Sequence, residues 1–149
     1  ATVERAELSD GQAILELGCG WGSLSLWMAR HFPNSRITSV SNSRPQKAFS
    51  DSRSKSQGID NLEITPSDMT GFETEMRFDR VVSVEMFEHM RNWPALLERI
   101  DTWLEPGGKF FMHIFTHHKI PYTFEIRGED DWMGRHFFTG GIMPSDDLV

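Results

Sequence analysis

The sequence has a single cysteine, Cys19, in 149 residues. A lone thiol excludes an internal disulfide and the cysteine-rich zinc frameworks, and no metal site is expected. It fits a reducing compartment, so a cytoplasmic location is expected. No run approaches the ~20 apolar residues of a membrane-spanning helix, and no leader pattern opens the chain. Positive charge is scarce as well: 15 Lys and Arg stand against 22 Asp and Glu, for a net charge of −7. That balance disfavours nucleic acid as a partner and stable docking on an anionic membrane. Internal repeats and low-complexity tracts are missing too. Aromatic residues are plentiful, with five Trp and eleven Phe, crowded toward the C-terminal third where a pocket lining or a core needs them. The length suits one domain with a real core.

One stretch organises the rest. Ile14-Leu15-Glu16-Leu17 runs straight into Gly18-Cys19-Gly20-Trp21-Gly22, and a helical pattern follows over residues 23–31. A strand that ends in a glycine-rich turn and feeds a helix is the nucleotide-binding entry of a doubly wound α/β fold. The spacing is G-x-G-x-G, which differs from the G-x-G-x-x-G of dinucleotide enzymes, and no G-K-[ST] follows to make a phosphate-cradling loop. Glu16 would place a carboxylate beside a ligand, which suits a cationic or hydroxyl-rich ligand better than a pyrophosphate. An ordinary strand-to-helix turn without ligand is the plain alternative.

In chain order, a helical turn or two over residues 1–8 leads to strand one (12–17) and helix one (23–31), whose Leu24, Trp27 and Met28 should face the sheet. Strand two spans 36–40. Ser43 and Gln46 then form an S-x-x-Q capping box, with Pro45 in the first turn, and the helix runs to about residue 57, with Gly58 as its stop. No acid ends strand two, where dinucleotide enzymes hold ribose hydroxyls. Strand three (62–65) precedes a loop with Asp68 and Met69. Strand four (78–84) is near-continuously apolar, as a parallel strand buried on both faces requires. Asn92-Trp93-Pro94 starts a helix to residue 104 with Leu96, Leu97 and Ile100 inward. Residues 105–108 read as a turn, and strand five spans 109–115 with His113 inside the run. This alternation means a parallel sheet with right-handed crossovers.

The ILELGCGWG segment resembles the first motif of class I S-adenosylmethionine (SAM) methyltransferases. Its Cys-Gly-Trp-Gly form resembles the branch that holds the cyclopropane fatty acid synthases and the coclaurine-type N-methyltransferases. The segment from Asp130 to Ser145 closely resembles the N-methyltransferase branch, where it lies over the substrate pocket. The resemblance implies a Rossmann-like fold with strand order 3-2-1-4-5, with the family's terminal antiparallel strands absent. Residues 1–116 would be the SAM-binding core, and 117–149 a partial lid of the same domain. It implies SAM as cofactor, with S-adenosylhomocysteine (SAH) as product, held by Glu16, Gly18, Gly20, Asn42, Gln46, Asp68, Met69 and Val84. For Gln46 the alternative is capping alone, and for Asp68 it is capping of the Thr70 region.

Glu85, Glu88 and His89 are the catalytic candidates. On a helix, positions i, i+3 and i+4 share one face. Two carboxylates and an imidazole would then meet, one carboxyl pKa would rise, and the cluster would accept a proton near neutrality. The family assigns base and substrate-holding roles to residues matching Glu88 and His89, with Glu85 assisting. The alternative is a solvated helix start with a packed histidine. His113 is either a satisfied core histidine or, as in the cyclopropane synthases, part of a bicarbonate site. Those synthases usually show glycine where this chain has Glu85, and they differ in the Asp131-Trp132-Met133 segment. The reading is therefore SAM-dependent N-methylation of a small-molecule amine. Rivals are cyclopropanation of an unsaturated lipid, a SAM-binding module without turnover and, last, a nicotinamide dehydrogenase. Phe110, Phe111, Met112, Ile114 and Phe115 would leave strand five with an apolar edge. That edge should recruit a second copy as a homodimer or be crossed by residues 123–138.

Overall fold

The computed structural model describes residues 1–124 and 140–148. The strand β1 (Ala13–Leu17) lies at the centre of the sheet. Its side chains alternate between faces, as a strand must. Ile14 joins one apolar cluster with Met28, Ala29, Ile37 and Val82. Leu15 and Leu17 join a second with Val40, Val81, Phe87, Leu96, Ile100 and Trp103. A sheet buried on both faces needs helices on both, and the chain provides them. The helices α1 (Thr2–Arg5) and α2 (Ser23–His31) carry Ala6-side and Met28-side contacts on one face, and α4 (Trp93–Trp103) covers the other.

The other strands of this sheet are β2 (Arg36–Ser41), β3 (Leu62–Pro66), β4 (Phe78–Val84) and β5 (Leu104–His113), with α3 (Arg44–Ser56) between β2 and β3. Every pairing is parallel and the order is β3-β2-β1-β4-β5, as the resemblance implies. The Ser43 hydroxyl caps α3 by accepting from the Gln46 amide at 3.4 Å, and Asn92 caps α4 by accepting from Ala95 at 3.3 Å. Ser43→Ala is expected to cost about 0.5–1 kcal/mol. Urea unfolding checks it, and an unchanged midpoint would show that the cap contributes nothing.

Several expectations need correction. Trp27 is 41% exposed: it turns outward and stacks on His31 at 3.9 Å, while Ser25, Met28 and Ala29 take the inward face. Leu97 is likewise 41% exposed. The inward stripe of α4 is Trp93, Leu96, Ile100 and Trp103, a 3-4-3 spacing that places Leu97 one position off the core line. The capping box is half made. Gln46 does not reach back to Ser43, because the Ser41 hydroxyl accepts from the Ser43 amide (3.2 Å) and donates to Gln46 Oε1 (3.0 Å). Residues 105–108 interrupt the β4–β5 register between Phe78↔Leu104 and Arg80↔Lys109, and β5 ends at His113, with Ile114 and Phe115 beyond it.

Residues 85–89 do not form one helical face. Glu85 has φ +52, and only Phe87–His89 form a short 3₁₀ turn. After β5 the described chain does contain an antiparallel pair, β6 (Tyr122–Thr123) with β7 (Ile142–Met143), but it forms a separate sheet and does not extend the main one. The crossing expected of residues 123–138, and most of the Asp130–Ser145 segment, lie outside the described residues. No described helix is long and apolar enough to cross a membrane.

Candidate functional site

In an open α/β sheet, ligands bind at the carboxyl ends of the strands. There a cleft of about 590 Å³ collects residues from the ends of four strands. Gly18 and Gly20 come after β1, Val40, Ser41, Asn42 and Gln46 from β2 and α3, Ser67, Asp68 and Met69 after β3, and Glu85, Met86, His89 and Met90 after β4. Eight of the predicted site residues thus share one wall system: Gly18, Gly20, Asn42, Gln46, Asp68, Met69, Glu85 and His89.

The glycines of the turn serve different ends. A Cβ on Gly18 would lie 2.6 Å from Met86 Cγ, so its absence lets the turn close against the loop after β4. Gly20, at φ +54, has nothing within 4 Å of an added Cβ, so its bare backbone faces open cleft. The Gly18 and Cys19 amides both donate to the Val40 carbonyl, at 3.1 and 2.9 Å, which ties the turn to β2.

Glu16 lies elsewhere. It is 4% exposed and absent from the cleft wall. One carboxylate oxygen accepts from the hydroxyls of Ser25, on α2, and Ser39, on β2, the latter at 2.9 Å. Burial pushes its carboxyl above the ordinary range, against the pull of the two serine hydrogen bonds. Burial, followed by the nearby Glu16 charge, pushes the Cys19 thiol up to about 12, so this thiol is no nucleophile at neutral pH. Val84 is half-buried at the end of β4 and also lies outside the cleft wall.

Asp68 is exposed, with Oδ1 accepting from both the amide (2.8 Å) and the hydroxyl (2.6 Å) of Thr70. Those hydrogen bonds hold its carboxyl below the ordinary range. The carboxylate is therefore charged and fixed in direction on the cleft rim.

The acid/base cluster is split by depth. Glu85 and His89 are exposed on the cleft wall, whereas Glu88 is fully buried beneath them. Glu88 Oε1 accepts from the Phe115 amide at 3.0 Å, and Oε2 has no hydrogen-bond partner. Its carboxyl titrates above the ordinary range. Burial is the main cause, opposed by backbone hydrogen bonds, and the repulsion from Glu85 is smaller. The sequence expectation gave like charge the leading part. His113 Nδ1 sits 3.9 Å from Glu85 Oε1, and its carbonyl accepts from the Glu85 amide at 2.8 Å. The Trp93 indole pins the 3₁₀ turn by donating to the carbonyls of Phe87 (2.9 Å) and Met90 (3.0 Å). Among the described residues no cluster of three metal-ligating side chains occurs.

Sequence reasoning passed over Val40, Ser41, Ser67, Met86 and Met90. Ser41 was legible as the last residue of β2, where side chains meet the cleft. Met86 and Met90 flank the cluster at a four-residue spacing, which reads as core in a helix and becomes cleft wall only because Glu85 bends the chain.

The chain is 39% identical over 140 residues to the (S)-coclaurine N-methyltransferase of Thalictrum flavum subsp. glaucum, an alignment that covers 94% of this chain and 39% of that protein. It is 39% identical over 148 residues to the pavine N-methyltransferase of the same plant, covering 98% and 42%. A crystal structure of coclaurine N-methyltransferase bound to N-methylheliamine and SAH matches with a TM-score of 0.86 at 37% identity, over 96% of this chain and 43% of that one. The chain therefore spans about two fifths of the length of the curated relatives it matches. The model of one family, mycolic acid cyclopropane synthetase, covers residues 1–149, and the chain belongs to that family.

Proposed function

We propose that this chain is the SAM-binding core of a methyltransferase that acts on a small-molecule amine. The observation that carries the amine reading is Glu85. At φ +52 it occupies backbone space that favours glycine, at a cost of about 1–2 kcal/mol for a residue with a Cβ, and it is one of the residues that line the cleft. Strain of this kind persists where the side chain is needed. An anionic carboxylate there attracts a protonated amine and stabilises the cationic product.

The cleft fits the cofactor. Its volume is in the range of small-molecule sites, Gly20 leaves main chain open to a ligand, and Asp68 presents a charged acceptor at the rim. Gly18 and Gly20 would hold the amino-acid end, Asn42 and Gln46 the ribose, and Asp68 and Met69 the adenine. When bound, the cofactor supplies an electrophilic methyl group. The chain's part is to orient the amine, remove its proton and exclude water. An alkylamine has a pKa near ~10, so proton removal is required before its lone pair can attack. Glu85 and His89 stand on the wall to receive that proton, with Glu88 beneath them and His113 beside Glu85.

The test is calorimetry with SAH and with NAD, followed by a methyl-transfer assay with alkylamines and with liposomes of unsaturated phospholipid. SAH binding and amine methylation are expected. Preference for NAD would overturn the cofactor assignment, and transfer to lipid alone would favour cyclopropanation.

A further inference from the structure

The cleft wall after β3 is an irregular loop, held at its start by β2, where the Ser67 amide donates to the Ser41 carbonyl at 3.0 Å, and further on by α4. Arg99, on α4, donates through Nη1 to the carbonyl of Met69 at 2.8 Å and to that of Thr70 at 3.3 Å. Its guanidinium lies over the Trp103 ring, 5.2 Å from the centroid. Glu73 Oε1 approaches Nε at 3.2 Å, but Glu73 is largely exposed. Neither Nε nor Nη2 makes a hydrogen bond, although both atoms are buried. Buried donors without partners are unfavourable, and a fold keeps such a group when its remaining contacts are needed. The remaining contacts are the two carbonyls. They belong to the residues directly after Asp68, one of them Met69 itself, and both Asp68 and Met69 line the cleft. Phe72 then buries its ring edge-on against Trp103, at 5.2 Å, so the arginine and the aromatic pair anchor one loop from one helix.

We propose that Arg99 is a positioning residue: its Nη1, shared between the Met69 and Thr70 carbonyls, fixes the loop that receives the adenosine end of the cofactor. The inference rests on the reading of the cleft as a SAM site. It explains how an exposed carboxylate such as Asp68 keeps one direction. The Asp68–Thr70 hydrogen bonds are internal to the loop and orient it against nothing else. The Ser67 amide ties the start of the loop to the Ser41 carbonyl of β2 at 3.0 Å, and Arg99 supplies the external reference on the far side of Asp68. Both bonds leave one nitrogen, Nη1, and the planar guanidinium stacked over Trp103 fixes where that nitrogen points, a stacking geometry that the compact ammonium of lysine does not reproduce.

Arg99→Met keeps an unbranched stem over Trp103 and removes Nη1 with both of its hydrogen bonds, and Arg99→Lys keeps a cationic donor but loses the planar stack that aims it. Hydrogen exchange is measured over residues 67–72, and SAH affinity by calorimetry. Arg99→Met is expected to speed exchange in 67–72 without speeding it in β1 or β4, and to weaken SAH about tenfold, the scale of one lost charge-assisted hydrogen bond. Arg99→Lys should lie between that variant and the wild type. A merely structural role would lower thermal stability without a selective change in that loop or in SAH affinity. If either folded variant binds SAH as the wild type does and leaves exchange in 67–72 unchanged, the inference is overturned. A wild-type chain that fails to bind SAH would instead defeat the cofactor reading, and the exchange measurement would still decide the clamp. Should Arg99→Met not fold, Arg99→Lys carries the same two measurements.

Discussion

Gly20→Val is expected to reduce SAH affinity at least a hundredfold while the chain stays folded. An added Cβ at Gly20 meets nothing within 4 Å, so the side chain finds no protein atom to displace and projects into the cleft. The backbone there has φ +54, which costs a residue with a Cβ about 1–2 kcal/mol. That leaves a domain of ordinary stability, ~5–15 kcal/mol, in its native state. A β-branched side chain is also stiff at χ1 and cannot fold away from an incoming ligand. Gly18→Ala is the informative contrast. Its Cβ would sit 2.6 Å from Met86 Cγ, so the same class of change there strains the protein itself, and it should lower the melting temperature more than Gly20→Val does. Calorimetry with SAH and a thermal melt on both variants separate the cases. A Gly20→Val chain that binds SAH normally would show that the ligand does not approach the turn.

The order of these two effects could not be read from the sequence. G-x-G-x-G declares a tight turn near a ligand, but it does not say which glycine faces the ligand and which faces Met86 or Ser50. The positions of β1, β4, α2 and α3 were legible because apolar runs and helix caps are local signals, whereas the sheet order came only from the family resemblance. The outward turn of Trp27 and Leu97 was not, since a periodicity with an extra apolar residue fits two faces, and tertiary packing chooses between them. Within the site, the four strand-end loops were legible from topology. The split of the catalytic cluster was hidden for a different reason. Glu85-Met86-Phe87-Glu88-His89 has a sound helical pattern. The Glu85 amide instead bonds the His113 carbonyl at 2.8 Å, a contact 28 residues away in sequence that sets the φ of Glu85 and sends Glu88 inward. Glu16 was misplaced by the same kind of ignorance: Ser25 and Ser39 as its partners are visible only once β1, β2 and α2 are packed.

Glu88→Gln should make the protein more stable and less active, with a pH dependence that identifies the cause. In the unfolded chain a glutamate titrates near ~4.3. In the folded chain burial raises the Glu88 value above that. Between the two values the folded state holds more proton than the unfolded state, so stability falls as pH rises. The loss is complete above the folded pKa and absent below the unfolded one. Glutamine keeps an oxygen to accept from the Phe115 amide and carries no charge to bury, so it does not titrate through this window. The variant's advantage should therefore be nil near pH 4 and reach about 0.5–2 kcal/mol at pH 7–8, the usual size of a single stabilising substitution, or roughly 1–8 °C in melting temperature. Glu16 is also raised by burial, but it is present in both proteins and cancels in the difference. Methyl transfer to an amine should fall about a hundredfold, the lower range for loss of a general acid or base. Melts across pH 4–8 and initial rates on one amine measure both effects. A Glu88→Gln chain that is no more stable at pH 7.5 would refute the buried charge, and one with wild-type rates would remove Glu88 from the reaction and leave Glu85 and His89 to carry it.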